Sequence, residues 1–165
     1  MRRFSLPFFL LALLLSVGAH AFDDPTLAVT AAQYLQSIRD NRNPAGQPAA
    51  TLTQQAEQLA RQHNLTAAIE RYETALAAGA PAAVWLDLSQ AWRALAQSSK
   101  DSQTQQQARE RTRQAAWNAL QAARAPFERA RTLFWLGELY DQSRSSKQAM
   151  AAFREGLELE DNPRI

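Results

Sequence analysis

The sequence predicts an all-α protein, and three observations carry that expectation. Glycine is scarce, five in 165 residues, while the good helix formers alanine, glutamine, leucine and arginine abound. Large apolar residues recur three and four apart rather than at every second position. Proline and glycine fall where one helix should stop and the next begin, as at Gly79 and Pro81. The length suits one domain with one sizeable core. The absence of cysteine removes disulfides, thiolate metal ligands and cysteine nucleophiles together.

Residues 1–21 read as a secretory signal. Arg2 and Arg3 supply the positive start, and Leu6 to Val17 is apolar apart from Pro7 and Ser16. Ala19-His20-Ala21 fits the small-x-small cleavage rule, so cleavage is expected after Ala21. The apolar run is shorter than the roughly 20 residues a bilayer span needs. Cleavage removes two of the 18 basic residues and no acid, leaving 16 of each sign. The formal charge of +2 therefore belongs to the precursor, and the even balance of the processed chain gives no case for nucleic acid as a partner, which needs a clustered positive field. A periplasmic or secreted protein with no membrane span after signal cleavage is expected.

Residues 22–40 form an N-terminal amphipathic helix. Asp24 is placed to cap it, Pro25 suits its first turn, and Leu27, Ala31, Tyr34, Leu35 and Ile38 make one apolar stripe. Residues 41–48, Asn-Arg-Asn-Pro-Ala-Gly-Gln-Pro, read as a linker. Thr51 to Gln62 is the next helix, with Leu52, Ala56 and Leu59 inward, and His63-Asn64 is a turn. Thr66 to Ala78 follows, with Ala68, Ile69, Tyr72 and Leu76 inward. Pro81 to Ala96 carries Val84, Trp85, Leu88, Trp92 and Leu95. Residues 97–104 read as a polar loop before a long helix from about Gln105 to Arg124, with Ala108, Ala115, Ala116, Ala119, Leu120 and Ala123 inward. Pro126 to Tyr140 and Lys147 to Leu159 are the last two helices.

The helices carry a repeated pattern. Leu136-Gly137 and then Tyr140 are followed by Ala149, Phe153 and Gly156, with Pro163 at the close. Trp85-x2-Leu88-Ser89-x2-Trp92 repeats the first half of that pattern, with serine for glycine and tryptophan for tyrosine. Ala68-x3-Tyr72, with Pro81 following, repeats the second half. This resembles the tetratricopeptide repeat, 34 residues forming two antiparallel helices with W-x2-L-G-x2-Y in the first and A-x3-F in the second. The resemblance implies an α-solenoid of three stacked helix pairs, at about 49–82, 82–126 and 130–163. Small residues at Ala68, Ser89, Gly137 and Ala149 would let helices approach, and Tyr72, Trp92, Tyr140 and Phe153 would fill the space beside them. The middle repeat departs from the pattern: Trp92 to the small Ala116 is 24 positions, whereas Tyr140 to Ala149 is 9. Either a longer second helix or a long loop absorbs the difference.

A narrower resemblance rests on Phe22-Asp23-Asp24-Pro25, on Tyr34-Leu35-Gln36-Ser37-Ile38-Arg39 and on Pro44-Ala45-Gly46. Together with degenerate tetratricopeptide helices, these are similar to the N-terminal helical segment of large secreted bacterial proteins of the alpha-2-macroglobulin family. That resemblance implies a module of, or truncation from, a protease-trapping protein. The β-sandwich array and thioester cysteine of that family have no counterpart here.

The chemistry of catalysis is missing. His63 is the one histidine outside the signal, in a turn and without a partner at metal-ligand spacing, and reads as a solvated turn residue. No G-x-S-x-G, H-E-x-x-H or phosphate-binding loop occurs. Glu155, Glu158, Glu160 and Asp161 read as a solvated helix end. Arg109, Arg111, Arg113, Arg124, Arg129 and Arg131 read as a face paired with glutamates, with an acidic partner as the alternative. A non-enzyme is expected, with no cofactor, no metal, and a protein or peptide as partner. The repeat resemblance implies a concave face lined by first helices: Thr53, Glu57, Arg61; Leu86, Gln90, Arg93; Arg131, Phe134, Glu138, Asp141. The lysine–asparagine carboxylate clamp of some family members is not recognisable there. The sequence closes two residues after Pro163 with no capping helix, so Met150 and Leu157 of the last helix are a second candidate contact surface.

Overall fold

A computed structural model describes residues 22–161. The expected signal 1–21 and Pro163 lie outside the described residues. All regular structure among the described residues is helical: α1 Pro25–Asn41, α2 Ala49–Arg61, α3 Leu65–Ala77, α4 Ala83–Ser98, α5 Ser102–Ala122, α6 Pro126–Gln142 and α7 Ser146–Asp161.

Local chemistry sets the helix ends. Asp24 caps α1 by accepting the Leu27 N–H at 3.0 Å, with Pro25 in the first turn. Asn64 caps α3 through the Ala67 N–H, and Asp101 caps α5 through the Thr104 N–H and hydroxyl, both at 2.7 Å. The Glu128 carboxylate reaches back to the Arg124 and Ala125 N–H groups ahead of α6. Helices α2, α3 and α6 end alike. A residue in the left-handed region follows each: His63 (φ 59°), Gly79 (φ 87°) and Arg144 (φ 59°). In each case two crossed backbone bonds close the end, as in His63 N–H to Ala60 C=O and Asn64 N–H to Leu59 C=O. His63 is thus an exposed turn residue, as its position in the sequence implies.

One boundary differs from expectation. The loop placed at 97–104 is only residues 99–101. Helix α4 runs on to Ser98, and Asp101 starts α5 three residues early because its carboxylate satisfies the first-turn donors. The extra length of the middle repeat therefore goes into α5, the longest helix at 21 residues.

Each helix from α2 to α7 packs on its neighbours in the chain, most extensively α2 on α3, α4 on α5 and α6 on α7. Two apolar clusters result. One joins Leu52 and Ala56 of α2, Ala68, Ile69 and Tyr72 of α3, and Trp85 and Leu88 of α4. The other joins Trp117 and Leu120 of α5, Leu133, Leu136 and Tyr140 of α6, and Ala149 and Ala152 of α7. Leu52, Leu88, Leu133 and Leu136 are wholly buried. Each such leucine contributes about 1.5–3 kcal/mol of transfer free energy.

Helix α1 belongs to both clusters: Tyr34 and Ile38 enter the first, and Leu27, Ala31 and the preceding Phe22 enter the second. It lies against α5 and α3. Polar bonds pin it along its length. Tyr34 donates to Glu73 of α3 at 2.6 Å and accepts from the Trp92 indole of α4 at 2.8 Å. The Arg111 guanidinium of α5 lies 4.2 Å from the Tyr34 ring centroid. Asn118 of α5 donates to the Ala31 carbonyl at 3.0 Å. The Tyr140 hydroxyl of α6 donates to Asp24, and the Phe22 N–H donates to Glu155 of α7. Helix α1 is thus an integral part of the packing.

Candidate interaction groove between α4 and α6

Residues three or four apart on α6, Phe127, Ala130 and Arg131, Phe134 and Glu138, share one face of the helix. With Trp135, Leu86 and Gln90 of α4, and Leu159 and Glu160 from the last turns of α7, they line an open groove of about 680 Å³. Phe127 is 71% exposed, the most exposed large apolar side chain described.

The groove floor is held from behind. Ser89, fully buried, stands where the repeat pattern has glycine. Its hydroxyl donates to the Thr112 carbonyl of α5 at 2.7 Å and accepts the Trp135 indole N–H at 2.8 Å. One small side chain therefore ties α4, α5 and α6 together. The Arg93 guanidinium lies 4.8 Å from the Trp135 ring centroid and pairs with Glu138 at 3.7 Å.

Phe134 is fixed by a reciprocal arrangement. A Cβ built on Gly156 of α7 would lie 2.9 Å from the Phe134 ring, and one on Gly137 of α6 would lie 2.5 Å from the Phe153 ring. Phe134-x2-Gly137 and Phe153-x2-Gly156 thus each offer a ring to the other helix's glycine.

Charges beside the groove are set against burial. The half-buried Asp87 carboxyl is raised above its ordinary range by burial, reinforced by Glu57 and opposed by Arg131. The Tyr72 hydroxyl is pushed up to about 12, first by burial and then by Asp87 and Glu57. These groups border a second hollow of about 530 Å³ that meets the groove at Gln90 and includes Ala60, His63 and Leu65.

The structure brings Leu86, Gln90, Arg131, Phe134 and Glu138 into one groove. Arg93 stands behind that wall and faces another hollow, of about 450 Å³, with Arg109 and Arg113 and no lining carboxylate. Arg61 is not in the groove lining; it is exposed on α2 and pairs with Glu57 at 3.5 Å. Thr53 turns its hydroxyl onto Ala49 C=O of its own helix. Met150 and Leu157, 62% and 53% exposed, lie two turns apart on α7 and are not in the groove lining. Of the pattern residues, Trp85, Leu88, Ala68, Tyr72, Leu136, Gly137, Tyr140 and Ala149 are buried, while Trp92 and Phe153 are partly buried against the clusters.

Five groove residues were not placed there from the sequence: Phe127, Ala130, Trp135, Leu159 and Glu160. Phe127 carried a usable signal, since it stands two turns ahead of Phe134 on one helix face. The arginine-rich stretch is divided by its partners. Arg111 stacks on Tyr34, Arg129 chelates Glu155 at 2.7 and 3.0 Å, and Arg131 faces the groove.

The groove offers aromatic faces, an amide, a guanidinium and carboxylates, a set that holds a ligand by stacking and hydrogen bonding. No group of three His, Asp or Glu side chains among the described residues is arranged for a metal ion. No helix among them is long and apolar enough to cross a membrane. Comparison of the chain with protein-family models, curated proteins and solved structures finds no match in any of the three.

Proposed function

We propose that this chain is a non-catalytic, exported protein of tetratricopeptide-like architecture whose groove between α4 and α6 binds a segment of a protein or peptide. The observation that carries the reading is the pairing of an exposed aromatic, Phe127, with rigidly backed aromatics, Phe134 and Trp135, beside the cation of Arg131. Peptide grooves combine such apolar anchors with a few placed polar groups. The repeat architecture draws support from three helix pairs that each enclose a three-residue turn, at 62–64, 99–101 and 143–145. The first and last of these turns share one backbone geometry.

Selection of peptides from a displayed random library against the intact exported protein tests the reading. Selected peptides should lose at least tenfold in affinity on Arg131→Glu or Phe127→Ser and bind Leu157→Glu normally. Peptides indifferent to both groove changes would refute it.

A second reading has its own observation. Met150 and Leu157 form an exposed apolar strip on α7, which suits packing against a further domain, as in the N-terminal segment of an alpha-2-macroglobulin-like protein. There, Leu157→Glu rather than Arg131→Glu would abolish association in sedimentation measurements.

A further inference from the structure

Phe22, the residue that follows the expected cleavage site, is only 6% exposed. The ring stands edge-on to Tyr140, with centroids 5.6 Å apart, and 5.9 Å from Trp117. Its backbone nitrogen meets one carboxylate oxygen of Glu155. The other oxygen of Glu155 accepts two bonds from Arg129, at 2.7 and 3.0 Å. The Glu155 side chain is only 12% exposed. The neighbouring carboxylate, Asp24, is already engaged with the Leu27 N–H and the Tyr140 hydroxyl. Around this nitrogen stand the carboxylates of Asp24 and Glu155, the guanidinium of Arg129 and the phenol of Tyr140, on which Arg113 also acts. Asp23 is exposed. The atom pointing at the free Glu155 oxygen is a backbone nitrogen.

We infer that Phe22 is the processed N-terminus and that its α-ammonium, created when water cleaves the Ala21–Phe22 peptide bond, forms an ion pair with Glu155 that the uncleaved chain cannot make. Hydrolysis leaves a carboxylate on Ala21 and an amine on Phe22, and the amine takes up a proton at neutral pH, since its ordinary pKa is about 7.7–8.0. The change converts one neutral amide donor into a charged group with three donors. Charge-assisted bonds to a carboxylate are roughly twice as strong as neutral ones. Removal of the leader thereby completes the clasp that joins the chain's start to α7. The inference rests on the export reading, and the two can fail separately.

The test uses the exported protein itself. Intact mass first locates the mature N-terminus. A second form carries one alanine inserted between Ala21 and Phe22, so that the exported chain begins one residue earlier and keeps Phe22 as an amide. Both forms are also made with Glu155→Gln, which accounts for the loss of the Arg129 pair. In chemical unfolding, the chain starting at Phe22 should have an unfolding constant about tenfold smaller than the alanine-extended chain, and the difference should vanish with Glu155→Gln. Equal stability of the two starts, or a difference that survives Glu155→Gln, overturns the ion pair. A mature terminus elsewhere, or a retained leader, overturns both the inference and the export reading.

Discussion

Tyr34 and Gly137 both sit where another helix comes close, and they manage the approach by different means. At Tyr34 the contact is polar: Glu73 and Trp92 bond its hydroxyl and Arg111 covers its ring, so α3, α4 and α5 are fixed to α1 at one point. At Gly137 the contact depends on an absent side chain, and the Phe153 ring fills the space a Cβ would take. The first arrangement specifies direction, because hydrogen bonds fail when geometry drifts. The second specifies only distance, and any added volume breaks it. Helix α1 arrives from far off in sequence and is held by directional bonds, whereas α6 and α7 are joined by a three-residue turn and need little more than a good fit.

Four measurements break or sharpen this contrast. Tyr34→Ala removes the hub and a large buried ring, and should cost about 3–5 kcal/mol in chemical denaturation. Tyr34→Phe keeps the ring but deprives Trp92 of its acceptor and Glu73 of one donor, and should cost about 1–3 kcal/mol. Gly137→Leu should cost about 1–3 kcal/mol through overpacking against Phe153. Combining it with Phe153→Ala should recover part of that loss, which Tyr34→Phe combined with Trp92→Phe should not match by any steric relief. If Gly137→Leu is as stable as the parent, the close-approach account of α6 and α7 fails.

Titration separates the two regions next. Tyr34 is raised well above the ordinary tyrosine value by burial, with Glu73 adding to the shift; Tyr72 and Tyr140 are also raised. The folded state therefore holds these protons more tightly than the unfolded chain. Stability is fully present below about pH 10 and falls as pH rises beyond it. An alkaline unfolding series should show this decline, shallower in Tyr34→Phe and unchanged in slope by Gly137→Ala, since the space beside Gly137 is filled by the Phe153 ring, which does not titrate. The smallest effect serves as the control: Arg61→Ala breaks an exposed pair on α2 and should change stability by less than about 0.5 kcal/mol.

The same contrast accounts for what could be read from the chain alone. All seven helices were legible because caps and apolar spacing are local signals. Gly137, Phe153 and Gly156 were legible because their contact spans fewer than two dozen residues and follows a known pattern. The loop at 97–104 was misjudged because its polar composition hid a capping residue, Asp101, whose effect depends on geometry rather than apolarity. The docking of α1 was not legible. Its stripe announced a buried face but not what buries it, since the partners of Tyr34 lie 39 and 58 residues away and that of Phe22 lies 133 away. In the groove, Leu86, Gln90, Arg131, Phe134 and Glu138 were singled out from the pattern, whereas Phe127, Ala130 and Trp135 were not. Leu159 and Glu160 enter only because the end of α7 reaches back across α6.

The bond from Phe22 to Glu155 also bears on the order in which the molecule can form. Phe22 meets α7, the last helix among the described residues, so this contact closes only after α7 exists. The pairs α2 with α3, α4 with α5 and α6 with α7 are local and can form as each is made, on the fast side of the dependence of folding rate on sequence separation. Helix α1, though synthesised first, finds its partners only when α3 and α5 present their surfaces. A chain interrupted before α5 would therefore leave Phe22 and Ala31 without Trp117 and Asn118, and quality control that recognises exposed apolar sequence would find its signal near the N-terminus of a protein broken far downstream.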